Sequence, residues 1–294
     1  MDFSLVVNGS PLTPAQPETP VPWWSFTKTL LSAAALTLVR EGLVGLDDAV
    51  PEGPFTLRQL LRHEAGLADY GELADYHAAV ARDDTPWPVD DMLQRLDATR
   101  LRYAPGNGWR YSNVGYLFVA RLIERMTGLL LEAALTQRVL SPLGLSRTRL
   151  ATTRTDLAGV NMGAASTYDP GWVYHGLLVG PLDDAALCLD RLLAGHLVPE
   201  SLLREMQTVH ALGGPIPGRP WLSPGYGLGL MQGAVEGGLT LSGHTGGGPG
   251  SVVAVYRCVY GNDTASCAVF HEGAGEGAAE AEAVQRLSTI LGKG

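Results

Sequence analysis

Trp24-Ser25-Phe26-Thr27-Lys28, continued by the apolar run Thr29-Leu30-Leu31-Ser32-Ala33-Ala34-Ala35-Leu36-Thr37-Leu38-Val39, is the stretch on which the reading of this chain turns. Ser25 and Lys28 stand three apart where a helix begins, so their side chains fall on one face within reach of each other. A serine hydroxyl is a poor nucleophile until a base takes its proton. A lysine becomes that base once burial disfavours its ammonium form. The run behind the pair is apolar on every side except at its serine and threonine positions, which predicts a buried helix, stopped at Gly42. The N-terminus of such a helix favours negative charge developing beside Ser25.

Ser-x-x-Lys alone is weak, because chance supplies it on the order of once in every one or two chains of this length. Lysine usage strengthens it. Of the 21 basic residues only Lys28 and Lys293 are lysine. Arginine cannot be deprotonated in a protein and lysine can. A lysine kept beside a serine, in a chain that otherwise uses arginine, points to titration as its purpose.

Working outward, 294 residues with 46% hydrophobic and 17% charged composition fit one large domain or two intimate ones. A net charge of −9 without any Lys/Arg cluster argues against nucleic acid or an anionic membrane as partner. The start, Met1-Asp2-Phe3-Ser4-Leu5-Val6-Val7-Asn8, has neither the basic nor the long apolar segment of a secretion signal, and no apolar run is long enough to span a bilayer. Three cysteines, Cys188, Cys258 and Cys267, suit reduced thiols in the cytoplasm, although a hairpin turning at Asn262-Asp263 would set Cys258 opposite Cys267.

Periodicity predicts a strand over 3–8, a proline-rich non-helical lead-in from Pro11 to Pro22, and a helix over 55–64 capped by Thr56. Further helices are expected near 90–97, 114–126, 131–139, 183–194 (capped by Asp183), 199–207 and 277–291. Residues 150–180 read as a long loop whose Tyr168, Trp172, Tyr174 and His175 line a pocket. After residue 213 the character changes, with strands over 239–242, 251–259 and 265–270. The order is α+β: the first strand and the last elements form one sheet around a helical insertion. The expected division is a sheet domain of residues 1–22 plus 221–294 and a helical domain of 23–220, the latter carrying Ser25/Lys28 and Tyr111/Asn113, with the site in the cleft between them.

Two more pieces complete the pattern, Tyr111-Ser112-Asn113 and His244-Thr245-Gly246-Gly247. Taken alone, the first is a helix start capped by asparagine; the second reads as a strand edge facing the serine, with a glycine-rich turn between strands as the alternative. Together with Ser25-x-x-Lys28 they resemble the signature elements of the serine β-lactamase and penicillin-binding-protein superfamily, in particular its class C-like branch with family VIII carboxylesterases and D-aminopeptidases. The segment Thr56-Leu57-Arg58-Gln59-Leu60-Leu61-Arg62-His63-Glu64-Ala65-Gly66-Leu67, then Ser141-Pro142-Leu143-Gly144-Leu145 and Tyr226-Gly227-Leu228-Gly229, extends the resemblance across residues 20–270.

The resemblance implies a β-lactamase-like antiparallel sheet flanked by helices, with Ser25 as nucleophile and Lys28 and Tyr111 sharing its proton. It further implies that Asn113 binds the lysine or a substrate carbonyl, and that backbone N–H groups of Ser25 and Gly247 form an oxyanion hole beside Gly246. His244 stands where many β-lactamases carry a lysine for the substrate carboxylate, which turns the expectation from penicillins and D-Ala-D-Ala ends towards small esters or amides. Its own role is left between facing substrate and bonding behind the site. Trp24, Trp172 and Tyr174 are pocket candidates, with Trp221 an ordinary core residue or a fourth. No metal and no cofactor are called for: His63-Glu64 lacks a second histidine at ligand spacing, and there is no phosphate loop or Gly-x-Ser-x-Gly elbow. The alternatives are a β-lactamase or D-Ala-D-Ala peptidase, an acyltransferase, and a non-catalytic binding module. The chain does not specify an oligomeric state.

Overall fold

The computed structural model describes residues 2–12, 19–273 and 275–292. Residues 13–18 of the proline-rich lead-in and Lys293 lie outside the described residues. In chain order come β1 (Asp2–Val7), β2 (Ser10–Pro11), β3 (Val21–Pro22), a 3-10 turn at Trp24–Phe26, α1 (Thr27–Arg40), α2 (Leu57–Leu61), α3 (Ala74–Ala81), α4 (Val89–Arg95), α5 (Asn113–Thr127) and α6 (Leu131–Leu135). Then follow β4 (Arg149–Ala151), β5 (Leu177–Gly180), α7 (Leu182–Leu193), α8 (Glu200–Gln207), β6 (His210–Ala211), β7 (Trp221–Tyr226), β8 (Met231–Val235), β9 (Thr240–Gly248), β10 (Ser251–Tyr260), β11 (Asp263–Glu272) and α9 (Glu276–Ile290).

Eight strands form one antiparallel sheet in the order β2-β1-β11-β10-β9-β8-β7-β6. The first strand closes the far end of the chain, since Leu5 of β1 pairs with Cys267 of β11. The fold is therefore α+β, an antiparallel sheet flanked by helices, as expected. β10 is buried on both faces. Val253 and Val255 join the core shared with α1, α5 and α7. The intervening Val252, Ala254 and Tyr256 pack against Ala279, Ala283 and Leu287 of α9. That alternation is the period-2 consequence of a pleated strand between two apolar layers.

Several elements depart from the sequence reading. α2 stops at Leu61, because His63 takes a left-handed φ of 61° and turns the chain towards the site; its start is as expected, with Thr56 and Gln59 forming a capping box. α7 begins at Leu182 with Pro181 in the cap position and no side-chain cap, so Asp183 is not its cap. Instead Asp184 accepts from Arg147 and Thr148. The expected loop over 150–180 contains β5 and borders β4, and these pair with β3 as a three-stranded sheet. β7 and β8 were not expected, and β9 runs on to Gly248, taking in the His244 stretch expected as a strand edge facing the serine. Cys258 pairs with Ala265 and Cys267 with Tyr256, so the two cysteines are not cross-strand partners, and neither they nor Cys188 forms a disulfide. Among the described residues no helix is long and apolar enough to cross a membrane.

Candidate active site

Ser25 sits in the 3-10 turn that feeds α1. The turn is set by Trp24, whose φ of 41° is unusual for a bulky residue and costs on the order of 1–3 kcal/mol. Its indole Nε1 donates to Ser251 Oγ at 3.1 Å, and its ring meets Tyr168 edge-on. These contacts hold the strained residue in place. One turn on, Lys28 is fully buried in α1.

Lys28 Nζ lies 3.1 Å from Ser25 Oγ, 2.7 Å from Asn113 Oδ1 and 3.0 Å from His175 Nε2. Tyr111 donates its phenol proton to Ser25 Oγ at 2.8 Å. Burial brings the Lys28 pKa down to about 7, partly opposed by the carboxylate of Asp69. The same burial pushes the Tyr111 phenol well above its ordinary value. The four residues anticipated around the hydroxyl, Ser25, Lys28, Tyr111 and Asn113, are thus within one hydrogen-bonded cluster.

Three residues of the cluster were not foreseen as its members. Asp69, in the loop after α2, accepts from Asn113 N at 2.8 Å, and both its carboxylate oxygens accept from Asn113 Nδ2 at 3.1 Å, which fixes Asn113 Oδ1 towards Lys28. The cap of α5 is Ser112 rather than Asn113: its hydroxyl accepts from Gly115 N, leaving Asn113 available to the lysine. His63 takes the Ser112 N–H at Nδ1 (3.1 Å) and packs its ring 4.3 Å from that of Tyr111. His175 had only a general place in a pocket-lining loop. No local period marks these loop positions.

β9 forms the opposite wall. β8 ends opposite Gly243, so beyond it that edge of β9 pairs with no other strand among the described residues, and Thr245 and Gly247 line the cleft. Close approach is possible because β9 is glycine-rich. A Cβ on Gly246 would stand 2.6 Å from Ser25 N and Trp23 O, and one on Gly248 would strike the Trp24 ring at 2.5 Å. Gly247 lines the cleft on both sides of Ser25. His244 is neutral: its pKa falls to about 3 through burial and the nearby Lys28 charge. Both ring nitrogens are engaged, Nε2 with Tyr226 OH at 2.9 Å and Nδ1 with Thr245 O at 2.7 Å. Beneath β9, the buried Glu280 accepts from Thr245 Oγ1, Tyr256 OH and Arg219, tying the strand to α9.

The cleft has two chambers that share Ser25, Asn113 and Gly247. One, of 320 Å³, is walled by Trp24, Tyr70, Tyr76, Tyr168 and His175. The other, of 530 Å³, is walled by Trp109, Tyr111, Tyr226, His244, Arg219 and Glu276. Trp24 lines the first, as anticipated. Trp172 and Tyr174 line neither, contrary to expectation. Trp172 donates to Asp84 O and faces a separate hollow, and Tyr174 bonds to Trp87 O behind Tyr70. Their rings brace the chamber wall from outside. Trp221 is a core residue that meets Tyr256 edge-on.

The family model described as Beta-lactamase matches residues 3–286. Esterase EstB of Burkholderia gladioli is 31% identical over 144 residues, 41% of this chain and 36% of that protein. A D-aminopeptidase of Brucella anthropi is 28% identical over 246 residues, 80% of this chain and 46% of that protein. The chain spans less than half the length of either relative. Among solved structures, a D-stereospecific amidohydrolase from Streptomyces sp. superposes with a TM-score of 0.73 at 26% identity, covering 90% of this chain and 88% of the other.

Proposed function

The chain belongs to the Beta-lactamase family, and on that premise we propose that it is a serine hydrolase cleaving small esters or amides through an acyl-enzyme on Ser25. The observation that carries this reading is the double engagement of one hydroxyl. Ser25 Oγ lies 3.1 Å from Lys28 Nζ and 2.8 Å from Tyr111 OH, and burial poises that lysine near 7. In acylation the Oγ–H proton passes to neutral Lys28 as Oγ bonds to the acyl carbon. The carbonyl oxygen, now anionic, sits against the backbone N–H groups of Ser25 and Gly247. The carbon then expels its alcohol or amine, which takes a proton from the Lys28–Tyr111 pair. Water, deprotonated by the same pair, attacks the ester on Ser25 and frees the acid. Asn113 holds the lysine and His244 keeps Tyr226 in place at the chamber wall.

In this reading the helical layer (23–220) supplies nucleophile and base, and the sheet layer (1–22 with 221–294) supplies the oxyanion wall. The relatives named esterase and D-aminopeptidase support the ester and amide ends of the substrate range respectively. A β-lactam or D-Ala-D-Ala substrate brings a carboxylate, for which the larger chamber offers little. His244 is neutral, and Arg219 is already held by Glu276 and Glu280. A cytoplasmic setting belongs to the same proposal, supported by three cysteines that remain thiols.

The test is intact-mass analysis after a fluorophosphonate probe. One adduct on the wild type and none on Ser25→Ala is expected; an unlabelled wild type or an equally labelled variant overturns the nucleophile. Faster turnover of p-nitrophenyl acetate or butyrate than of nitrocefin is expected, and the reverse order would move the substrate to β-lactams.

A further inference from the structure

Lys28 Nζ has three neighbours, and their hydrogen-bonding capacities are nearly fixed. A neutral amine offers two N–H groups and one lone pair. Asn113 can only accept at Oδ1, because its amide nitrogen is committed to both carboxylate oxygens of Asp69. One N–H of Lys28 is therefore spent on Asn113. The second N–H and the lone pair are divided between Ser25 and His175, and only one division makes Lys28 a base for Ser25. If His175 Nε2 accepts the N–H, the lone pair faces Ser25 Oγ. If Nε2 instead carries a proton, that proton takes the lone pair and Ser25 meets an N–H.

We propose that His175 is a positioning residue whose unprotonated Nε2 takes the second N–H of Lys28 and thereby points the lysine lone pair at Ser25, with its own proton on Nδ1. The inference rests on the serine-hydrolase reading above. Two observations assign the tautomer. The ammonium form of Lys28 has three N–H groups and no lone pair, so Nε2 at 3.0 Å must accept in that state as well. Only the Nδ1–H form serves both states of the lysine. Second, Nδ1 is buried with no hydrogen-bond partner among the described residues, so nothing there competes to fix the other tautomer. The unpaired Nδ1 is the cost of an acceptor at Nε2. Ser25 fits the same arrangement: its oxygen accepts from Tyr111, leaving its own hydrogen for the lone pair.

The groups facing the Lys28–His175 pair are Ser25, Tyr111, Tyr116, Asp69, His63 and His244. Burial raises both phenols and lowers the three imidazoles, His175 included, so among these nitrogen bases and phenols Lys28 is the one that titrates near neutrality. The acid limb of the acylation rate then reports on Lys28. His175→Leu removes the acceptor at similar bulk. The ammonium form loses a partner, so the limb should move to lower pH, while the rate of fluorophosphonate labelling falls roughly 10- to 100-fold as the lone pair is no longer held in line. His175→Gln, which can present an amide oxygen, should restore much of the rate and return the limb towards that of the wild type.

A wild-type rate and limb in His175→Leu overturns the proposal. So does a limb moving to higher pH, the sign of a lost Nε2–H donor, or a slower rate with an unmoved limb, the sign of packing alone. Should His175→Leu not fold, long-range 1H–15N spectra of wild type labelled at histidine read the tautomer directly. Nδ1–H is expected for His175, and Nε2–H overturns the assignment. Failure of the serine reading is separate, since it appears as labelling that is absent from the wild type or that survives Ser25→Ala.

Discussion

At the scale of the residue, the division of labour around Ser25 follows from what burial does to two different acids. Taking charge out of water disfavours the ammonium of Lys28 and the phenolate of Tyr111 alike. The lysine is thereby brought to about 7 and the phenol is pushed far above neutrality. On the proposed function this makes Lys28 the base of acylation and Tyr111 a proton donor at physiological pH. Activity should rise with pH through a limb near 7, measured as kcat/KM for p-nitrophenyl acetate between pH 5 and 9; a rate that shows no limb near 7 and is still climbing at pH 9 would make the phenol the base. Lys28→Arg keeps the charge and removes the base, and should lose about 10²-fold or more in kcat with intact-mass labelling equally depressed. Retained turnover would exclude the lysine. Tyr111→Phe keeps the ring against His63 and should lose roughly 10²–10⁴-fold in turnover at nearly unchanged Tm.

Ser25 and Lys28 were legible from their spacing and from lysine scarcity, and Tyr111 and Asn113 only through the resemblance of all three motifs to the serine β-lactamase superfamily. Asp69, His63 and His175 were not, because each arrives from a loop whose course is set by distant packing. An orienting carboxylate leaves no mark on the residues beside it.

At the scale of the element, the decisive feature is the distance between the Trp24–Phe26 turn and β9. The glycines of β9 were legible as permitting close approach, and the helices as amphipathic periods. β7 and β8 were hidden by Pro224 and the surrounding glycines, which read as turn signals although the sheet tolerates them beside a two-residue edge strand. The three-stranded sheet was hidden by strands of two to four residues, too short to display alternation. Gly246→Ala tests the approach directly. Its Cβ would meet backbone atoms of Trp23 and Ser25 at 2.6 Å, so the nucleophile's turn must shift. A shift on the order of 1 Å there should cost about 10²-fold in acylation. Gly214→Ala, with open space around its Cβ, is the control expected to label like wild type. Equal labelling of the two variants would remove β9 from the site.

At the scale of the whole molecule, the site is a thermodynamic burden that the two cores must carry. Lys28 is fully buried with a pKa near 7, whereas the unfolded chain holds it at its ordinary 10.5. Between these values the unfolded state binds more protons than the folded one, so this residue makes stability increase as pH rises from 7 to about 10.5. Below 7 both states are protonated and the folded state bears the whole penalty, on the order of 5 kcal/mol before losses in hydrogen bonding are counted. The buried histidines act in a lower window. His63, His175 and His244 are all held below the ordinary 6.5, so stability falls as pH drops beneath that value and the unfolded chain takes up protons that the folded one refuses. Lys28→Met should therefore be inactive yet more stable than wild type in urea at pH 7, with the gain shrinking towards pH 10. The acid-side loss between pH 6.5 and 4 should persist in it, because the histidines remain. A gain that stays constant from pH 7 to 10 would mean that the lysine is not desolvated in the folded state, and the base reading would lose its physical ground.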